Sequence, residues 1–206
     1  MDRVIPWKRL MALIEPHYPK PGRGRRPLGL ERMLRIYFLQ QWFDLSDPGA
    51  EDAIYDSESM RRFVGIELGE DRVPDESSIL LFRHLLEKHE LTKAIFEEIG
   101  DLLKEKGLML KQGTIADATL IAAPSSTKNR EKTRDPEMRQ TKKGNQWYFG
   151  MKVHIGTDTQ GLTHSLVTTD AAQSDYNELP NLIHGEEDEI YADSAYRSDV
   201  DRRCFQ

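Results

Sequence analysis

Two acidic residues stand inside short apolar runs of this sequence. Asp117 lies in TIADATLI (114–121), and Asp193 lies in EIYADSAY (189–196). Aspartate is depleted in strands and is seldom buried without a partner, so strand propensity explains neither position. If both runs are strands of one sheet, the two carboxylates can converge on a metal ion. Paired carboxylates suit Mg²⁺ or Mn²⁺, which take oxygen ligands and can activate a water or a hydroxyl in phosphodiester chemistry.

A structural role is the alternative for both acids. Asp117 would then be satisfied by a local hydrogen bond, and Asp193 would end its strand in an Asx-turn. On spacing alone the structural role is the favoured interpretation. Three further acids occur in turn-like contexts and are interpreted as structural: Asp158, Asp170 and Asp175.

Composition excludes several classes of protein. The chain has 206 residues, of which 38% are hydrophobic and 31% charged, and its mean hydropathy of −0.64 is that of a soluble globular protein. No apolar run approaches the roughly 20 residues that span a bilayer. The N-terminus does not resemble a secretory signal. A lone Cys204 excludes an internal disulfide and a cysteine-rich zinc site, which fits a reducing cytosol.

The first half of the chain has helical periodicity. Apolar residues predict a short helix that ends before Pro16 and a longer one from Leu30 to Leu45. Ser46 or Asp47 with Pro48 predicts the next helix start, and a further helix is expected over 57–64. Pro74-Asp75 and Thr92 are predicted to open the last two helices of a module that ends at Gly107.

After Gly107 the apolar period changes from 3.6 to 2. Strands are predicted at 113–122, 148–157, 162–169 and 190–195, with a short helix at 175–184 before the last strand. The predicted order is β-β-β-α-β, and a crossover helix would place the last strand beside the first. In the 148–157 strand, Lys152 and His154 share one face; His154 is interpreted as a hydrogen-bonded sheet histidine rather than a ligand.

The net charge of −6 hides two basic clusters. One lies between Lys20 and Arg26. The second occupies the polar connection 123–147, predicted to have no regular structure, and the strand after it. Two interpretations of this connection are open on charge alone, contact with DNA phosphates and a solvated loop. Its candidate DNA-binding residues, with the cation of the next strand, are Lys128, Arg130, Lys132, Arg134, Arg139, Lys142, Lys143 and Lys152.

Three segments together resemble the insertion-sequence transposases of the IS-five group. They are ADATLIAAPSSTKN (116–129), RDPEMRQTKKGNQWYFGMKVHIGTD (134–158) and YADSAY (191–196). The segment PDESSILLFRHLLE (74–87) is similar to part of that family's N-terminal helical domain. The resemblance covers essentially the whole chain, and the run from Ala116 to Asp158 is its most specific part.

The resemblance implies an α+β chain with three parts. These are an N-terminal helix and basic linker (1–29), an all-helical domain (30–107), and an incomplete ribonuclease-H-like domain (108–206) with a basic insertion at 123–147. The helical domain is expected either to read terminal inverted repeats through a helix-turn-helix-like pair or to make dimer or synaptic contacts.

The resemblance also implies DNA transposition through a DDE acidic triad. Asp117 matches the first acid and Asp193 the second, and both are expected to be catalytic and to bind metal. The implied cofactor is Mg²⁺ or Mn²⁺ in a two-metal site. The implied partners are double-stranded DNA, as transposon terminal inverted repeats and target DNA, and further copies of the chain in a synaptic complex. No membrane association is implied, and a bacterial cytoplasmic, nucleoid-associated location is expected.

The sequence departs from the family pattern at the third acid. That acid is a glutamate in a Y-x₂-R-x₃-E-like motif well beyond the second acid, and the 206 residues contain no such motif after Asp193. The expectation is therefore a C-terminally truncated and inactive DDE transposase. The alternative is a non-catalytic DNA-binding or inhibitory protein that pairs with full-length transposase.

Overall fold

The computed structural model describes residues 4–22, 26–110, 113–127 and 133–196. It divides into two compact units, Met1–Leu102 and Leu103–Gln206. Within the described ranges, every helix is too short or too polar to cross a membrane. The arrangement is α+β, because helices occupy the first unit and a mixed sheet dominates the second.

The helices of the first unit follow the predicted apolar periods. They are α1 (Trp7–Ile14), α2 (Leu30–Phe43), α3 (Asp47–Asp56), α4 (Glu58–Val64), α5 (Glu76–Lys88) and α6 (Leu91–Glu105). The caps explain several boundaries, because the side chains of Ser46, Ser57 and Asp75 accept hydrogen bonds from backbone N–H groups of the first turns. Gly65 ends α4 in the left-handed conformation. The prediction for Thr92 was wrong, since α6 begins at Leu91 and Thr92 lies inside it.

One apolar core holds this unit together. Leu10, Leu34 and Ile54 are fully buried in it. At its edge, Arg83 donates through Nε and Nη2 to the Asp47 carboxylate at 3.0 and 2.9 Å. This bidentate pair joins α5 to the first turn of α3 and lowers the pKa of Asp47.

The second unit is a five-stranded sheet with one packed helix. Its elements are β1 (Gly113–Ala122), β2 (Arg139–Lys143), β3 (Gln146–Asp158), β4 (Thr163–Asp170), α7 (Asp175–Leu182) and β5 (Glu189–Ala192). The strand order is β2-β3-β1-β5, with β4 also paired to β3. Only the β1–β5 pair is parallel among the described strands. The predicted return of the last strand beside the first is therefore confirmed, and the sheet is consistent with part of a ribonuclease-H-like domain.

Strand β2 corrects the expectation that 123–147 has no regular structure. Arg139–Lys143 pairs antiparallel with 146–150 of β3, and β3 begins at Gln146 inside the same segment. The sequence RQTKK contains no apolar residue, and neither face of this edge strand is buried. Backbone pairing to β3 therefore forms a strand that an apolar period cannot predict.

Helix α7 covers one face of the sheet. Leu182 and Leu179 pack against Ala116 and Ala118 of β1, with Tyr196 completing the small core. The opposite face of β1 carries Ile115 and Asp117, which are exposed. Since side chains alternate along a strand, Asp117 lies on the sheet face opposite α7.

Candidate functional site

Asp117 lies in the middle of β1, which pairs with β3 along its length and with β5 over its first four residues. It pairs with Ile155 of β3, and the adjacent Ala116 pairs with Ala192 of β5. Its Oδ1 accepts a hydrogen bond of 2.8 Å from the N–H of Ala118. The carboxylate is exposed, and its backbone is fixed by the ladder.

Asp193 follows β5 directly, so it stands one step beyond the Ala116–Ala192 pair, as Asp117 does on β1. The predicted last strand ends earlier than expected, at Ala192. The Oδ1 of Asp193 accepts from the N–H of Ala195 at 2.7 Å, which starts the 3₁₀ turn Ser194–Tyr196. Both acids therefore make the local bonds of the structural alternative. The register nevertheless places them at neighbouring positions.

Tyr196 belongs to the small core under α7 and feels the charges of both acids. Its side chain is 4% exposed, and its hydroxyl has no hydrogen-bond partner among the described residues. Burial raises the pKa of Tyr196, and the charges of Asp175, Asp117 and Asp193 raise it further. The hydroxyl is therefore protonated at neutral pH and lies within the field of three carboxylates.

Asp175 has its own cation. Lys152 donates through Nζ to Asp175 Oδ1 at 2.8 Å and to the Gln173 carbonyl at 2.7 Å, and its side chain is 13% exposed. His154 is fully buried beside this pair and hydrogen-bonds Thr169 Oγ1 at 3.0 Å. The strand alternation placed Lys152 and His154 on one face. No local pattern in the sequence indicates that α7 supplies the opposing carboxylate.

Sequence reasoning also missed Glu187, in the loop that precedes β5. Its side chain is 2% exposed. Thr114 of β1 donates its hydroxyl to Glu187 Oε1 at 2.9 Å, and the N–H groups of His184 and Gly185 donate at 2.6 and 2.7 Å. Because the Thr114 hydroxyl donates its proton to Glu187, its oxygen can only accept from His164. His164 Nε2 is therefore the donor in the 3.1 Å hydrogen bond to Thr114 Oγ1. This cluster holds the loop against β1 just before the strand that leads to Asp193.

We expect Glu187→Gln to lower the free energy of unfolding by about 2 kcal/mol. The substitution replaces a buried carboxylate that accepts three hydrogen bonds with a neutral amide, which is a weaker acceptor. Burial works to raise the pKa of Glu187, but hydrogen bonds from His184, Thr114 and Gly185 outweigh it and lower the pKa from 4.5 to about 2. The stabilisation is therefore complete above pH 4.5 and is lost as the pH falls towards 2.

Urea unfolding at several pH values measures this effect. The variant should lose less stability than the unaltered chain between neutral and acidic pH. Asp188→Asn removes the same charge from the same loop at an exposed position and is the control. Equal acid sensitivity of Glu187→Gln and the unaltered chain would refute the assignment.

The predicted DNA-binding cations fall into three groups. Lys128, Arg130 and Lys132 lie outside the described residues. Arg139, Lys142 and Lys143 are exposed on β2, and Arg134 is exposed with its guanidinium 5.4 Å from the ring centre of Phe149. Lys152 differs from them, because its ammonium is engaged by Asp175 on the face that α7 covers.

The described residues contain no group of three or more histidine, cysteine, aspartate or glutamate side chains arranged to hold a metal ion. Asp117 and Asp193 each follow by one residue the paired Ala116 and Ala192 of the adjacent strands β1 and β5. Carboxylate oxygens on adjacent strands are ligands that Mg²⁺ and Mn²⁺ accept alongside water molecules. The unpartnered hydroxyl of Tyr196 is a further polar group close to this pair.

Two protein families match the chain. Residues 1–85 match the family described as Transposase domain (DUF772), and residues 109–204 match the family described as Transposase DDE domain. The first match falls in the helical unit. The second contains the sheet, both acids and the basic strand β2. No solved structure matches the chain.

Proposed function

Because the chain belongs to the DDE-type transposases, whose function is DNA transposition, we propose that Asp117 and Asp193 are its metal-binding and catalytic acids. The parallel pairing of β1 with β5 supports this proposal, since each acid comes one residue after the last pair, Ala116 and Ala192. We propose that the chain binds double-stranded transposon ends and target DNA, and that it acts in strand cleavage and transfer. Membership of the IS-five group is part of the same proposal.

Divalent metal ions are typical cofactors of this family, and the acid pair fits one. Asp117 and Asp193 supply oxygen ligands from two adjacent backbone positions, and both are exposed to solvent. Asp117 and Asp193 would hold Mg²⁺ or Mn²⁺, and the ion would supply activation of the attacking oxygen and charge stabilisation at the leaving oxygen of a phosphodiester. The two acids bind and orient the ion; the two-metal arrangement of the family is part of the proposal.

The neighbouring residues support the acids. Tyr196 remains protonated, so it can donate a hydrogen bond to a carboxylate oxygen that approaches it. Lys152 pairs with Asp175 at 2.8 Å, so the charge of Asp175 is compensated on the face that α7 covers. We therefore assign Lys152 a role in positioning Asp175 rather than a direct phosphate contact.

The proposed DNA surface is formed by the exposed cations near β2. Arg134, Arg139, Lys142 and Lys143 concentrate positive charge in a chain whose net charge is −6. Such a local cluster attracts phosphates whatever the sum of charges. Synapsis of two DNA ends by several copies of the chain belongs to this proposal, with the helical unit contributing end recognition or contacts between copies.

We expect the double substitution Lys142→Gln/Lys143→Gln to weaken DNA binding and to reduce its salt dependence. Each phosphate contact contributes about 0.9 to the slope of log affinity against log salt, so the slope should fall by about 2. Fluorescence anisotropy of a labelled transposon-end duplex over a salt series measures both quantities.

The matched control is Lys142→Arg/Lys143→Arg, which keeps both charges and should retain the slope. An unaltered slope in the glutamine variant would show that β2 does not contact phosphates. Binding with no salt dependence in the unaltered chain would contradict the whole DNA surface.

A further inference from the structure

Strands β2 and β3 extend beyond the rest of the sheet as a hairpin. We call residues 139–150 the hairpin arm. Strand β1 pairs with β3 from Gly150 onward and β4 pairs from Met151 onward, whereas β2 pairs with 146–150. Among the described strands, 146–149 therefore has one neighbour, β2, and the arm is a two-stranded ribbon.

The base of the arm is fixed and its tip is open. Phe149 is buried, its carbonyl accepts from the Ala123 N–H at 2.8 Å, and Arg134 stacks on its ring. At the tip, Gly144 turns the chain with φ of 61° and has open space around its Cα. A ribbon held at one end can present side chains to a partner without rearranging the sheet.

Trp147 is the most exposed aromatic side chain that the structure describes, at 68%. It lies directly opposite Lys142 in the β2–β3 register, so the ring and the ammonium share one face of the arm. Arg139 and Lys143 alternate to the other face. This ring contributes nothing to the core and is accessible to a partner.

The charge of the arm identifies the kind of partner. The arm contains three cations and no acid, in a chain with an excess of acids. Cations on both faces of a narrow ribbon suit a polyanion that surrounds it, and an aromatic ring among cations is the pattern of sites that stack nucleic-acid bases.

We infer that Trp147 stacks on an unpaired DNA base while Lys142, Lys143 and Arg139 hold the flanking phosphates. The inference rests on the proposed DNA binding and specifies which DNA the arm prefers. In a continuous duplex both faces of each base are covered by neighbouring bases. Trp147 can therefore gain stacking only where the helix is opened, and the arm should favour locally unpaired DNA.

Two DNAs of equal length test this, one fully paired and one with a short central run of mismatches. They carry the same number of phosphates, so the charge contribution to binding is matched. The unaltered chain should bind the mismatched DNA about tenfold more tightly, and Trp147→Ala should remove this preference while leaving affinity for the paired DNA within about twofold. Trp147→Phe, which keeps an aromatic face, should retain part of the preference.

Two controls separate stacking from charge and from general loss of apolar surface. Lys142→Gln should lower affinity for both DNAs by the same factor. Leu166→Ala removes an exposed apolar side chain elsewhere on the same sheet and should change neither affinity. Because Trp147 is exposed, its variants should keep the thermal unfolding midpoint of the unaltered chain, which circular dichroism checks.

The outcomes distinguish this inference from the proposed function. If the unaltered chain binds both DNAs equally, or if Trp147→Ala lowers both affinities alike, the stacking role is overturned and DNA binding stands. If Trp147→Ala shifts the chain to a smaller assembly in sedimentation without changing the preference, the ring belongs to a protein interface and the inference is overturned. If neither DNA is bound, the proposed DNA binding fails and the inference with it.

Discussion

Asp117→Asn is expected to weaken Mn²⁺ binding by at least tenfold, and Asp193→Asn should do the same. Changes to residues that only orient a metal ligand already cost about 10- to 100-fold in affinity, so loss of a charged ligand from a pair should cost at least as much. The amide keeps the shape of the side chain and removes its charge. Isothermal titration calorimetry with manganese chloride at neutral pH measures the change.

In the absence of metal, the same substitutions should increase the stability of the chain. Like charges at neighbouring positions of adjacent strands destabilise a sheet by about 0.2–1 kcal/mol, so either amide should stabilise the metal-free chain slightly. Asp170→Asn is the control, because Asp170 also ends a strand and accepts a local backbone hydrogen bond, from Ala172 at 2.8 Å. If it lowered Mn²⁺ affinity as much as Asp117→Asn, the metal would not be held by the acid pair.

Gly150→Ala is expected to destabilise the sheet unit by about 3 kcal/mol or more, which is the upper range for forced overpacking. A Cβ at this position would stand 2.0 Å from the Ile121 carbonyl oxygen and 3.1 Å from the Ala123 nitrogen, and φ is 156°. Both contacts are backbone atoms of the central strand and its continuation, so no side-chain rotation relieves them. Chemical unfolding followed by far-ultraviolet circular dichroism measures the loss.

Gly161→Ala separates the clash from backbone strain. Gly161 has φ of 86° but nothing within 4 Å of the added carbon, so its replacement should cost only about 1 kcal/mol. Equal losses at the two glycines would show that conformation, rather than the close approach of β1 to β3, explains the sensitivity at Gly150.

The sequence predicted the elements whose local signals agree with their packing. The Ser46 cap with Pro48, the Asp75 cap and the glycine after α4 set helix boundaries through bonds between near neighbours. The hairpin from β3 to β4 also has a local signal, because Asp158 and Gly161 bracket a turn between alternating strands. Its Asp158 accepts from Gln160 and Leu162 as a turn residue should.

The acid pair was predicted in part. The apolar runs located Asp117 and Asp193, and the crossover rule placed their strands side by side. The local hydrogen bonds of both acids match the structural alternative. The pairing of their strands, which is a long-range feature, matches the metal-site interpretation.

Long-range polar contacts could not be predicted. Thr114 meets Glu187 across 73 positions of sequence, and Lys152 meets Asp175 across 23. Neither pair has a local signature, because each depends on the way β5 and α7 return to β1 and β3. Strand β2 was missed for a related reason, since its only structural determinant is the backbone of a neighbouring strand.

The strand pairing restrains the backbone of Asp117 more strongly than that of Asp193. Asp117 stands in a ladder that runs from Thr114 to Ala122 along β3, so moving it requires breaking the centre of the sheet. Asp193 follows a strand with four paired positions at the sheet edge, preceded by the Glu187 contacts. Local opening of such a short segment costs less free energy than global unfolding. In the proposed metal site, affinity would therefore depend on the opening equilibrium of β5, and a ligand or partner that secures β5 would tighten the site without touching either carboxylate.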